Sequence, residues 1–359
     1  MRAKVHINLR RVVDSSYDII IGTPLSDAVK EINRDYPHSS KFVITDSNVG
    51  KLYGRKLRSA IKQPARHLLI VPSGEKSKNR KTKELLEDTL IALRVKRNSV
   101  IIALGGGVIG DLAGFVAATL LRGVPYIQFP TTLLAQADSS IGGKVAIDHP
   151  WGKNLIGAFY QPTKVYIDPS TLRTLSDSEF TNGIAEVIKY AVILDETLFS
   201  YIEENNNKIK IRLPQTLHYI IQRCCELKKS VVEKDEKETG LRRVLNFGHT
   251  IGHAIESLSN YRISHGQAVA IGMVAEAKMS TTLGMLSGRV LHRLEHLITA
   301  HQLPTSIPSS MTMKKIVGAT LTDKKSTGQS VHYTLLKQIG KANIDVALSH
   351  TEVLRLLKS

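Results

Sequence analysis

The chain has 359 residues, 42% of them hydrophobic and 23% charged, ordinary values for a globular protein long enough to bury a large core in two domains. Its 49 Lys and Arg against 32 Asp and Glu leave a net charge of +17. The basic residues are dispersed in ones and twos and only 5% of residues are aromatic, which argues against a nucleic-acid platform and for a solvated basic surface around an anion site.

Residues 1–22 read as two strands, KVHINL and YDIIIG, around a polar turn. KFVITD (41–46), HLLIVP (67–72), VIIALG (100–105) and YIQFP (126–130) are short, apolar, β-branched runs of the kind that fully buried parallel strands show. Helical patterns over 51–63, 77–93 and 110–121 separate them, the alternation of an open α/β sheet. KVAIDHPWGKN reads as a hairpin, and KVYID as a last strand before Pro169. From about Ser176 strand-like runs vanish and helical periods continue through residue 320, with turns at Glu203–Lys210 and around Pro304 and Pro308. The expectation is a Rossmann-like, mostly parallel α/β domain over 1–175 and an all-α domain over 176–359. No apolar run approaches the roughly 20 residues of a membrane span, and the N-terminus has no signal pattern. The two cysteines, Cys224 and Cys225, are neighbours and poorly placed for a disulfide. Together these point to a reducing cytoplasmic setting, with neither membrane nor nucleic acid as partner.

Two stretches carry chemistry. GGGVIGD (105–111) follows a strand and opens a helix, so Gly105, Gly107 and Gly110 satisfy G-x-G-x-x-G in its required context. Such a turn brings a pyrophosphate against backbone N–H groups at a helix N-terminus; it is otherwise simply a tight turn. No Asp or Glu lies between Leu112 and Ala137, where a ribose-binding acid is expected, so Asp46 at the end of KFVITD is the better candidate, with the loop PSGEKSK (72–78) lining the same crevice. NFGHTIGHAIE (246–256) places His249 and His253 on one helix face, a spacing that lets two imidazoles share a metal ion. The glutamate that metalloproteases carry between such histidines is replaced by Thr250. His265 in SHGQAVAIGM and Glu186 in NGIAEVIKY are further candidates. Helix histidines can also merely cap or pack; Gly248, Gly252 and Gly266 beside them favour close approach of a ligand.

Taken in order, GGGVIGDLAGFVA, RGVPYIQFPTTLLAQADSSIGGK, GKNLIGAFYQP, NGIAEVIKY, LNFGHTIGHAIE and HGQAVAIGM closely resemble the 3-dehydroquinate synthase family of the sugar phosphate cyclases, over about residues 41 to 340. The resemblance implies NAD and a divalent metal, zinc first and cobalt as the alternative. It implies conversion of 3-deoxy-D-arabino-heptulosonate 7-phosphate to 3-dehydroquinate and phosphate, a step of aromatic amino acid biosynthesis. By motif the metal ligands become Glu186, His249 and His265, in place of the His249–His253 pair that spacing suggests. His253 becomes a proton-transfer group beside the substrate. Lys144, Asn154, Arg122 and one of Lys324 and Lys325 are implied to hold the phosphate, with Arg122 reaching in from the partner subunit of a homodimer. Lys228 and Arg242 are implied to grip the carboxylate, and Asp138, Lys189 and Asn246 to contact ring hydroxyls. His265 would also face the substrate, and Glu238 would act as an acid–base group. For NAD the implied positions are Asp46, Asn48, Glu75, Lys78, Gly106, Gly107, Val108, Asp111, Thr131, Thr132, Lys153, Thr171, Thr174 and Asn182.

Three rivals remain at this level. A metal-dependent alcohol or glycerol dehydrogenase would use the same architecture but has no need of Lys144, Arg122, Lys228 and Arg242. A cyclase making an inosose or a valiolone would leave Lys228 and Arg242 idle, because its substrate lacks a carboxylate. A nucleic-acid-binding protein rests on net charge alone.

Overall fold

The computed structural model describes residues 14–62, 66–320, 326–327 and 330–357; KVHINL, Lys324 and Lys325 lie outside these. Six parallel strands form one sheet: β1 (Asp18–Ile21), β2 (Lys41–Asp46), β3 (Arg66–Val71), β4 (Val100–Gly105), β5 (Tyr126–Pro130) and, after the antiparallel hairpin β6 (Lys144–His149)–β7 (Gly152–Phe159), β8 (Lys164–Ile167). Their order is β1-β8-β5-β4-β2-β3. Helices α1 (Leu25–Asp35), α2 (Ser47–Val49), α3 (Arg55–Ala60), α4 (Arg80–Ala92) and α5 (Gly107–Thr119) fall between the strands. Every residue of β4 is buried, as are the first five of β2, because a parallel sheet is covered on both faces. One face packs Phe42, Ile44, Ile101 and Ala103 against Leu112, Ala113 and Val116 of α5. The other packs Val43, Ile102 and Leu104 against Ala28, Val29 and Ile32 of α1.

The second half is helical in its bulk: α6 (Asp177–Leu194), α7 (Glu196–Glu204), α8 (Asn206–Lys210), α9 (Pro214–Val232), α10 (His249–Leu258), α11 (His265–Thr282), α12 (Gly288–Ala300), α13 (Met313–Thr320) and α14 (His350–Leu356). The strictly all-α reading is corrected at one place. The two-residue β9 (Ser326–Thr327), β10 (Ser330–Gln338) and β11 (Lys341–Ser349) form an antiparallel sheet. Val331, Tyr333 and Leu335 of β10 are buried in the core that α10 and α11 share, while Gly340 takes φ 80 at the turn. The alternation that marks this hairpin begins only beyond the helical periods. Among the described residues no helix is long and apolar enough to cross a membrane.

Two packing features position the polar residues of the helical half. α6 is buried along nearly its whole length, including its charged residues Glu186 and Lys189. α10 and α11 cross so closely that a Cβ on Gly272 would stand 1.9 Å from the carbonyl oxygen of Gly248, so only glycine fits at that crossing.

Candidate active site

Glu186 comes from α6, His249 from the first position of α10 and His265 from the first position of α11. Nε2 of His249 and Nε2 of His265 each lie 3.3 Å from the same Glu186 Oε1, and the three donor atoms fall within 4.8 Å of one another. Ligand atoms bound at about 2.0–2.1 Å to a tetrahedral ion stand about 3.3 Å apart, so this N2O set fits a zinc-type ion and leaves a position open. The outer nitrogens are also committed. Nδ1 of His249 lies 3.1 Å from the carbonyl oxygen of Phe247, and Nδ1 of His265 lies 3.3 Å from Glu256 Oε2. With these oxygens accepting at Nδ1, Nε2 is the nitrogen that each ring turns inward, where an ion would displace any proton it carries, the arrangement that metal-binding histidines use. His253 is exposed beside the trio, its ring centre 5.3 Å from that of His249 and 6.1 Å from that of His265. A second grouping of His253, Glu256 and His265 is also compact, but there Glu256 is already paired with Lys153 at 2.6 Å.

Behind the trio lies a buried cluster of alternating charge. Lys189 pairs with Glu186, and Lys228 pairs with Asp138; Tyr190 donates its hydroxyl to Asp138 at 2.7 Å. Burial alone would raise the Asp138 carboxyl, but Lys228 and Lys189 outweigh it and hold it down to about 2. Glu186 is treated likewise, with burial overcome by Lys189 and His249. Burial lowers Lys228, and nearby Arg242 adds to that lowering against the pull of Asp138. The two histidines part company: burial pushes His249 down, whereas for His265 the hydrogen bonds of Glu186 and Glu256 overcome burial and lift it to about 9.

Lys144, on the first residue of β6, pairs with Glu238, and Asn246 Nδ2 donates to the other oxygen of Glu238 at 3.0 Å. Arg242 is buried, its guanidinium donating to the carbonyls of Glu236 and, at 3.1 Å, of Gly142. Lys144, Glu238 and Asn246 thus form one bonded group and Lys228 and Asp138 another, and the charge of Arg242 acts on both Lys144 and Lys228. With Lys189 they make up a wall of charged groups beside the trio.

The glycine-rich turn runs from β4 into α5. Gly106 is the N-cap of α5 and no side chain caps the helix, so its first N–H groups are available to an anion. A Cβ on Gly106 would lie 2.9 Å from Thr132, and one on Gly107 would lie 3.0 Å from Ser139: a cradle that larger residues would fill. Val108 sits on the first turn of α5. Asp111 holds Lys78 at 2.6 Å, and Lys78 also reaches Asn154 Oδ1 at 2.5 Å and Glu75 at 4.0 Å. Asn154, expected at a phosphate, is thus joined here to Lys78, which is expected at the dinucleotide. The Thr131 hydroxyl is buried without a hydrogen-bond partner among the described residues. Asp46 uses one oxygen to cap α2 through the amides of Asn48 and Val49, at 2.8 and 3.0 Å. Thr171 accepts from Gln136 at 3.0 Å, and Thr174 bonds Tyr53 at 2.7 Å. Asn182 Oδ1 accepts the amide of Gly266 at 2.5 Å, fastening the start of α11 to α6.

Arg122 lies exposed on the turn after α5, and no hydrogen bond or ion pair among the described residues joins it to this wall. Three participants escape the sequence reading. Glu256 supports His265, Tyr190 supports Asp138, and Glu276 accepts the amides of Gly248 at 2.6 Å and Ile251 at 3.4 Å. Each sits in a helix as an ordinary polar residue; Tyr190 and Glu256 at least end chemistry-bearing motifs, whereas Glu276 lies just beyond one.

An open parallel sheet joined to a helical half, with a two-histidine, one-carboxylate centre beside buried cations, defines an enzyme of the dehydroquinate synthase-like fold. Residues 68–182 match the family model for the N-terminal part of 3-dehydroquinate synthase, and residues 183–326 the model for its C-terminal part. The chain belongs to the 3-dehydroquinate synthase family. It is 46% identical over 349 residues to the 3-dehydroquinate synthase of Caldanaerobacter subterraneus subsp. tengcongensis, covering 96% of this chain and 98% of that one. With the same enzyme of Desulforamulus reducens the identity is 43%, covering 95% and 96%. Among solved structures it resembles a 2-epi-5-epi-valiolone synthase from Streptomyces hygroscopicus subsp. jinggangensis holding NAD+ and Zn2+, with TM-score 0.88, 25% identity and 98% of each chain covered. It also resembles a 2-deoxy-scyllo-inosose synthase with carbaglucose-6-phosphate, NAD+ and Co2+, with TM-score 0.85, 28% identity and 94% and 95% covered. A glycerol dehydrogenase from Schizosaccharomyces pombe shares the fold alone, with TM-score 0.67, 16% identity and 98% and 90% covered.

Proposed function

We propose that this protein is an NAD- and metal-dependent 3-dehydroquinate synthase, a carbon–oxygen lyase that converts 3-deoxy-D-arabino-heptulosonate 7-phosphate to 3-dehydroquinate and phosphate. The observation that carries the reading is the closeness of the donor trio to the cation wall: Glu186 pairs with Lys189, and Asp138, paired with Lys228, lies near enough for the charges of both Lys189 and Glu186 to act on it. A dehydrogenase acting on a simple alcohol has no use for such a wall.

Glu186, His249 and His265 would hold the ion, and the uncapped start of α5 with Gly106, Gly107 and Thr132 would receive the pyrophosphate of NAD. NAD bound there would supply reversible hydride exchange with the ring C5, and the ion would supply Lewis acidity at the oxygen on that carbon. The remaining work falls to the chain. Lys228 and Arg242 face the substrate carboxylate, two cations whose proximity to each other is relieved when an anion enters between them. Lys144, and Arg122 of a partner subunit in a homodimer, meet the phosphate. Asp138, Lys189 and Asn246 orient the ring hydroxyls. With C5 at the ketone level the neighbouring C–H becomes acidic, so phosphate leaves by β-elimination. Glu238, seated between Lys144 and Asn246, and exposed His253 are the groups at hand to move protons. With C5 again at the alcohol level, ring opening and an intramolecular aldol addition would close the carbocycle.

The test is direct. Purified protein with NAD and zinc should release phosphate from the heptulosonate phosphate without net NADH, and should be inert toward a sugar phosphate lacking the carboxylate. Steady NADH formation from glycerol would support a dehydrogenase instead, and turnover of the uncarboxylated sugar phosphate would support a different cyclase.

A further inference from the structure

Glu256 divides its two oxygens between two separate parts of the molecule. Oε2 lies 3.3 Å from Nδ1 of His265, at the start of α11, while Oε1 lies 2.6 Å from Nζ of Lys153, at the start of β7. The carboxylate is buried. It stands seven residues along α10 from His249, so both project from the same face of that helix. The imidazole of His265 is therefore held at both nitrogens, by Glu186 on the inner side and Glu256 on the outer. Lys153 also lies 3.9 Å from Glu75 and 4.7 Å from the ring centre of Tyr261, and its pair with Glu256 ties the hairpin that carries it to α10.

We propose that Glu256 is a positioning residue of the metal centre, fixing the ring plane and tautomer of His265 so that Nε2 points at the ion. The proposal rests on the reading of Glu186, His249 and His265 as metal ligands. Its physical basis is the freedom it removes. A histidine χ2 is a broad, roughly two-fold torsion, and a ring held only through Nε2 would have to be ordered by the ion itself. Donation from Nδ1 to a carboxylate fixes the tautomer in advance and makes Nε2 more basic, and losing such a partner typically weakens metal binding roughly 10- to 100-fold. Lys153 has a different part: it is the cation that makes burial of Glu256 tolerable. Removing Lys153 leaves the Glu256–His265 bond in place and leaves more negative charge behind the histidine, so the metal should be held no less tightly.

That asymmetry supplies the test. Zinc affinity is measured by chelator competition on full-length wild type, Glu256→Gln and Lys153→Met. The cobalt-loaded proteins are compared by visible absorption, and the metal-free proteins by thermal unfolding. The expected result is a roughly 10- to 100-fold loss of zinc affinity and an altered cobalt spectrum for Glu256→Gln, with zinc affinity in Lys153→Met equal to or above wild type. Glu256→Asp, which keeps the charge but withdraws it by a methylene, should fall between them and serves if the glutamine variant does not fold. Equal weakening in Glu256→Gln and Lys153→Met would make the contact a structural ion pair and overturn the proposal, as would unchanged zinc affinity in Glu256→Gln. A wild-type protein that takes up no stoichiometric zinc would instead remove the metal reading beneath it.

Discussion

His249 and His265 present their Nε2 atoms to one and the same oxygen of Glu186, each at 3.3 Å, although the three residues come from three helices. If this is the metal centre, Glu186→Ala removes one of three protein ligands and leaves Lys189 as a buried cation without its partner. The loss of several kcal/mol of transition-state stabilisation corresponds to a fall in kcat/KM of about 1000-fold or more. Phosphate release and bound zinc, measured on the same samples, should fall together. Dialysis of wild type against a chelator should abolish turnover reversibly, with zinc or cobalt restoring it.

Glu276 controls where His249 begins. Gly248 takes φ 76 as the N-cap of α10 and has no side chain to offer, so the buried amides of Gly248 and Ile251 rely on the Glu276 carboxylate of α11. Glu276→Ala would orphan buried donors, a loss of about 1–3 kcal/mol each, and would free the turn that aims the histidine. The expected outcome is a melting temperature lower by several degrees in chelator, together with weaker zinc binding. Unaltered zinc affinity in a destabilised protein would confine Glu276 to a purely architectural part.

How far the sequence can be read depends on the range of the interaction. β2 and β4 are legible because a strand covered on both faces must be apolar throughout, and the β6–β7 hairpin because Pro150 and Gly152 sit at its turn. Helical periodicity, however, reports only which residues share a face of one helix. It therefore pairs His249 with His253, whereas the structure joins His249 to residues of α6 and α11. Glu186 and His265 are only further candidates until resemblance makes them the ligands, because it carries tertiary information that spacing lacks. Glu256 and Glu276 are invisible to both: a glutamate in a helix is usually solvated, and nothing local says that these two are buried. The hairpin β10–β11 falls outside the all-α reading because its strands come only after a long run of helical periods that ends at residue 320.

Gly272 offers a test of the α10–α11 crossing. The atoms its Cβ would meet are the carbonyl oxygen of Gly248 at 1.9 Å, the carbonyl carbon of Gly248 at 2.8 Å and the amide nitrogen of Gly252 at 2.9 Å. All three are backbone and none can rotate away, so Gly272→Ala must push α10 off α11. Overpacking of this kind costs about 1–3 kcal/mol or more, outweighing the gain in helix propensity of roughly 1 kcal/mol. Because the two helices carry His249 and His265, zinc affinity should fall along with the denaturation midpoint. An alanine variant as stable as wild type would contradict so close a crossing.

His301 gives the fold an acid-sensitive point that is not one of the candidate site residues. It follows α12, is buried, and its Nε2 has no hydrogen-bond partner among the described residues. Burial, with a smaller contribution from the positive charge of Lys210, pulls its pKa from 6.5 down to about 4. The folded protein therefore keeps the ring neutral where the unfolded chain would protonate it. Between about pH 6.5 and 4 the unfolded state binds more protons, so stability falls as the pH falls through that window and is unaffected by this group above it. A shift of this size corresponds to at most about 3 kcal/mol at pH 4. Replacing the titrating ring, as in His301→Gln, should remove that part of the pH dependence while leaving the loss due to carboxylates. Urea unfolding of both proteins at pH 7.5 and pH 4.5 measures it: the stability gap between variant and wild type should shift in favour of the variant as the solution becomes acid. A gap that stays constant across the two pH values would show that His301 protonates in the folded protein as readily as in the unfolded one.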